Sequence, residues 1–163
     1  TIYIDEIFVE TITPAKDGEV LTFAEKAQLR YTVEENSSIE WMESYEGETG
    51  VAKMTATTAW GYFGFKPMQD ISAYADGQYI VVRMYIADGY AGSLWFGGQK
   101  IYEEGTVETG KWADYYFPAD IFKTNWAESA TKYDVWTMAL SFGSACEVYI
   151  DSIFVVNQLT QVN

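Results

Sequence analysis

Tyr79-Ile80-Val81-Val82-Arg83-Met84-Tyr85-Ile86 decides the fold class. Its even positions, Ile80, Val82, Met84 and Ile86, are all apolar, while the odd ones include Arg83 and two tyrosines. That period of two is the pattern of a half-buried strand. Trp136-Thr137-Met138-Ala139-Leu140-Ser141-Phe142 repeats it, with Trp136, Met138, Leu140 and Phe142 facing inward and small residues facing out. Further strands are expected at 19–23, 38–43, 51–58, 93–96, 113–117 and 146–156. Between them stand turn formers such as Asn36, Gly47, Asp88-Gly89, Gly97-Gly98, Gly105, Gly110 and Gly143. Helical signals are confined to single turns near 24–28 and 118–122. Many short strands joined by regular turns predict an all-β, two-sheet antiparallel β-sandwich of jelly-roll type.

The chain has 163 residues, enough for one domain with its own core. Its 6 Trp, 13 Tyr and 9 Phe are more aromatic rings than one interior absorbs comfortably, which points to a binding face where Tyr and Trp keep their polar ends wet. With 24 Asp and Glu against 10 Lys and Arg, the net charge of −14 argues against nucleic acid and anionic membrane as partners. No uninterrupted apolar stretch approaches the ~20 residues of a spanning helix. Histidine is absent, so Ser-His-Asp, Cys-His and His-based zinc chemistry are excluded. The single Cys146 reads as a small buried hydrophobe.

Tyr3-Ile4-Asp5-Glu6-Ile7-Phe8-Val9 recurs as Tyr149-Ile150-Asp151-Ser152-Ile153-Phe154-Val155, differing at one place. A repeat at whole-domain spacing predicts tandem modules, with 1–10 the closing strand of a preceding copy, 11–17 a linker and 18–163 the sandwich itself. The alternative is that 1–10 form the first strand of this same module. A chain opening at Thr1 is expected to be an excised or processed piece of something longer.

The segment Gly110-Lys111-Trp112-Ala113-Asp114-Tyr115-Tyr116-Phe117-Pro118-Ala119-Asp120-Ile121-Phe122, together with the closing Tyr149-Ile150-Asp151-Ser152-Ile153-Phe154-Val155, resembles carbohydrate-binding modules of galactose-binding-like, jelly-roll fold. Leu21-Thr22-Phe23 and Gly50-Val51-Ala52-Lys53-Met54 are similar to the family's opening, so the resemblance runs from about Gly18 to Asn157. It implies a non-catalytic module of a secreted, multimodular glycan-degrading or surface protein, extracellular, monomeric and covalently linked to neighbouring modules. It also implies a structural Ca²⁺ held at the positions matching Glu25 and Asp151, although Ala24 stands where the family places its acid. Two acids make only part of the oxygen shell that calcium needs, so a capped turn or solvated acid is the alternative. The family's Trp at position 112 is expected to pack at a sheet edge.

A pyranose offers an apolar face and a rim of hydroxyls, so its site needs exposed aromatic platforms beside planar hydrogen-bonding groups. Trp60 and Tyr62, two apart among glycines, are expected to share a side. Trp95 lies between core-facing Leu94 and Phe96 and is thrown outward, with Gln99 nearby for hydroxyls. Arg83 and Tyr85 alternate out of the core and are expected on the floor of the same face. These six residues define a candidate platform for a plant-type polysaccharide of the β-glucan, xyloglucan or mannan class. Trp41, Trp126 and Trp136 are assigned to packing or loop closure. Two rivals stand beside this reading: a structural or adhesive spacer, and a small jelly-roll glycosidase using paired carboxylates drawn from Glu40, Glu43 and Asp114.

Overall fold

The alternation of 79–86 is realised in the structure, a computed structural model that describes residues 19–26, 29, 31–33, 36–65, 78–119 and 139–156. Ile80, Val82, Met84 and Ile86 are fully buried while Arg83 and Tyr85 are half-buried on the opposite face. Among the described residues the strands are β1 (Glu19–Leu21), β2 (Tyr31–Val33), β3 (Ser37–Tyr45), β4 (Glu48–Ala56), β5 (Gly61–Phe65), β6 (Tyr79–Ile86), β7 (Leu94–Phe96), β8 (Gln99–Tyr102), β9 (Trp112–Pro118), β10 (Ala139–Phe142) and β11 (Cys146–Val156). They form two antiparallel sheets. Sheet A runs β3-β4-β11-β6-β9, with β1 beside β11; sheet B runs β2-β5-β10-β7-β8. The all-β sandwich expected from the sequence is what the chain adopts.

The core lies between the sheets. Met54, Met84, Phe117, Val148 and Ile150 from sheet A meet Leu94, Phe96, Leu140 and Phe142 from sheet B, and Phe96 stacks on Phe117 with centroids 4.4 Å apart. Each such side chain contributes roughly 1.5–3 kcal/mol by leaving water. Cys146 packs against this core, and burial pushes its thiol up to about 12, so it stays protonated and inert.

β2, β5 and β8 are strands that the alternation did not announce. Residues 24–25 form bends, and Lys26 begins a 3₁₀ turn in which Leu29 N–H donates to Lys26 O at 3.0 Å, with 27–28 outside the described residues. Pro118 ends β9 and Ala119 sits in a turn, without helix among the described residues. The first copy of the repeat, the linker at 11–17, Trp126, Trp136 and Met138 lie outside the described residues. The second copy falls on β11, between β4 and β6.

One irregularity shapes sheet A. From Cys146 to Ile150, β11 pairs with β4; past the irregularity at Asp151, Ile153 and Phe154 pair with β1 instead. β1 takes that place, and β4 parts from β11 beyond Ala52, close to Gly50, while it stays paired with β3 as far as Glu48. Gly50 has φ +69°, and a Cβ there would come within 2.6 Å of Phe23 O, so no other residue fits. The β3–β4 hairpin tip is thereby laid across the outer face of sheet A.

Candidate functional site

The outer face of sheet B carries an in-register row, Tyr62, Ser141, Trp95 and Lys100, from β5 through β10 and β7 to β8. Trp95 is half-buried and donates Nε1–H to Ser93 Oγ at 2.9 Å, which fixes the ring. Trp60 stands just before β5, its N–H donating to Phe142 O at 2.8 Å, and its ring meets Trp95 edge to face at 5.4 Å and 77°. At 58% exposure it is the exposed large hydrophobic residue among those described.

The backbone of Trp60 is left-handed, φ +66°, a conformation that costs a non-glycine residue of order 1–3 kcal/mol. The surrounding turn enforces it. Asn36 Nδ2 donates to Thr58 Oγ1 and Ala59 O, Thr57 N–H and Oγ1–H both donate to Asn36 O, and a Cβ on Gly61 would strike Ala56 and Ser37.

Of the six predicted residues, the structure brings Trp60, Tyr62, Trp95 and Gln99 to sheet B. Tyr62 stands in that row but is only 9% exposed, so its ring is largely covered, whereas Trp60 is open. Gln99 is partly buried at the start of β8 and is engaged by other groups. Lys100 and Ser141 join the row and were not anticipated. Lys100 is paired with Glu103 at 2.6 Å.

Arg83 and Tyr85 are on β6, hence on the other sheet; they do not share a face with Trp60 and Trp95. Arg83 Nη2 donates to Glu48 at 2.7 Å and Nη1 to Asp114 at 3.4 Å, and the guanidinium stands 5.8 Å over the Trp112 ring. Those acceptors hold its pKa above the ordinary arginine value, Glu48 first. Tyr85 belongs to a cluster in which Tyr45 stacks on Tyr149 at 3.5 Å and 2°, with Tyr85 and Trp112 edge-on to Tyr45 at 5.2 and 6.4 Å. Trp112 Nε1–H donates to Glu46 O at 3.1 Å, which ties the hairpin tip to β9, at the edge of sheet A.

Asp151 accepts from Ser152 Oγ at 2.7 Å and lies 4.0 Å from Arg83 Nε; burial holds its pKa above the ordinary carboxylate value. Glu25 is exposed. Among the described residues no three His, Cys, Asp or Glu side chains gather as a metal site. Glu40 and Asp114 sit on β3 and β9, at opposite edges of sheet A and roughly 19 Å apart by strand spacing, too far for a glycosidase pair.

No family model matches the chain, and no curated protein matches it either. Solved structures do. The CBM22-1 xylan-binding domain from Paenibacillus barcinonensis Xyn10C is 13% identical, with a TM-score of 0.50 over 86% of this chain and 96% of that one. This chain has the fold of a carbohydrate-binding β-sandwich. The CBM22-1-CBM22-2 tandem of the same protein is 15% identical, with a TM-score of 0.49 over 86% of this chain and 46% of that one. The C-terminal family 22 carbohydrate-binding module of Clostridium thermocellum Xyn10B is also 15% identical, with a TM-score of 0.49 over 93% and 100%.

Proposed function

We propose that this chain is a non-catalytic carbohydrate-binding module of a secreted, multimodular protein, and that the outer face of sheet B takes a β-1,4-linked xylan chain. The observation that carries the reading is the pair Trp60 and Trp95, one exposed on a strained backbone and the other locked by Ser93. This choice of xylan replaces the β-glucan, xyloglucan or mannan class expected from the sequence. The similar Paenibacillus domain, described as xylan-binding, supports the same choice.

Stacking and a few exchanged hydrogen bonds, each worth roughly 0.5–1.5 kcal/mol net, give affinities in the micromolar to millimolar range. Affinity electrophoresis against xylan, β-glucan, xyloglucan, mannan and starch tests the reading. Xylan is expected to retard the protein, with no reducing sugar released. Trp60→Ala and Trp95→Ala should each abolish the retardation; binding that survives both substitutions removes sheet B as the site.

A further inference from the structure

Among the described residues β9 is an edge of sheet A, and beside it lies an open cleft of about 390 Å³ lined by Tyr102, Thr106, Glu108, Trp112, Asp114 and Tyr115. Ladder parity determines what the strand offers there. Ala119 N–H donates to Gln78 O, in line with the Tyr79–Pro118 pair, so odd residues of β9 turn their peptide groups toward β6 and even residues turn theirs to the edge. Tyr116 shows how such an edge group is satisfied. Its N–H donates to Tyr102 Oη at 2.9 Å, and Tyr102 Oη donates to Tyr116 O at 3.4 Å, one hydroxyl serving both. Two residues earlier the equivalent N–H and C=O of Asp114 face the same edge, and among the described residues no hydroxyl fills that position.

We propose that this cleft is a second binding site, for the end of a neutral glycan, in which a sugar hydroxyl does at Asp114 what the Tyr102 hydroxyl does at Tyr116. Around that anchor the cleft supplies what a pyranose needs. Trp112 gives an aromatic wall, held by Glu46 O and Arg83. Thr106 Oγ1, committed as donor to Glu103 O at 2.8 Å, retains its lone pairs for a second hydroxyl. The carboxylates of Glu108 and Asp114, paired with Lys111 at 3.1 Å and with Arg83 at 3.4 Å, keep lone pairs for sugar hydroxyls. Small-molecule sites run from about 300 to 1,000 Å³, so this volume suits one or two sugar units rather than a running chain. The site is on the sheet opposite Trp60 and Trp95 and does not depend on the reading of that face.

Amide NMR on the Trp60→Ala/Trp95→Ala double variant, with the parent protein in parallel, tests the proposal using xylobiose, cellobiose and mannobiose as probes. At least one is expected to shift the Asp114 amide and the Trp112 indole N–H together, saturating in the millimolar range. Thr106→Phe, which fills the cleft from an exposed position, should weaken that response at least about tenfold. An Asp114 amide unmoved by all three disaccharides in both proteins overturns the proposal, as does an undiminished response in folded Thr106→Phe. Shifts confined to sheet B in the parent protein would uphold the first site and refute this one.

Discussion

On the outer face of sheet A, Tyr45, Tyr85, Trp112 and Tyr149 lie ring against ring beneath a hairpin tip, with Arg83 and Lys53 over two of them. On sheet B, Trp60 and Trp95 meet at a single edge-to-face contact, and Trp60 remains mostly in water. The same residue types thus form packing in one place and a platform in the other. The cause is β1. By displacing β4 it sends a hairpin over sheet A, and no such cover reaches Trp60.

The contrast breaks most visibly at Tyr149, which is 6% exposed and stacked. Tyr149→Ala should lower unfolding free energy by about 3 kcal/mol in a denaturant titration, yet leave xylan retardation of the folded protein intact. Loss of retardation by folded protein would make sheet A part of the site. Trp60→Ala should do the reverse. Affinity falls at least about tenfold, or 1.4 kcal/mol, while stability stays within about 0.5 kcal/mol, because little area and no side-chain network is lost. Arg83→Gln comes next, at about 1 kcal/mol of stability. It strands Glu48 and Asp114, but all three side chains are about a third exposed, so water screens the loss.

The smallest effect sharpens the comparison through pH. Asp151 has a folded pKa raised by burial, so the folded state holds its proton more tightly. The stability this brings is complete below the ordinary carboxylate range and disappears as pH rises through the folded value. Asp151→Asn should therefore raise neutral-pH stability by something under about 1 kcal/mol, with the gain vanishing in acid. Glu147 runs the other way. Lys53 holds its pKa down, so its contribution is present at neutral pH and lost on acidification. Melting temperatures of Asp151→Asn and Glu147→Gln across pH should show these opposite slopes.

The sequence reading found β6 and β11 at their true limits because each sends apolar residues into the core; β6 keeps a nearly regular alternation, while β11 breaks its own at Asp151. β2, β5 and β8 are 3–5 residues long, too short to establish a period, and β5 carries two glycines. Trp60 and Trp95 were recognisable as outward residues. The error with Arg83 and Tyr85 has a plain origin, since alternation tells inside from outside but not which of two outsides. That depends on strand order, and β6 joins β11 and β9 while its sequence neighbour β7 joins β10 and β8. The row that places Tyr45 over Tyr149 and Tyr85 depends likewise on β1 displacing β4, an event between residues far apart in the chain.

The pairing of β1 with β11 also has a mechanical consequence. Glu19 lies opposite Phe154, so among the described residues the first strand pairs with the last. Tension applied across residues 19 and 156 would open this short ladder like a zipper, one rung at a time, rather than shear it as a block. The load at residue 156 would fall also on the β11–β6 ladder, which pairs Val156 with Tyr79. A polysaccharide held on sheet B could then be tugged and released with the binding face unstrained, the first yielding element being the same strand that put the hairpin over sheet A.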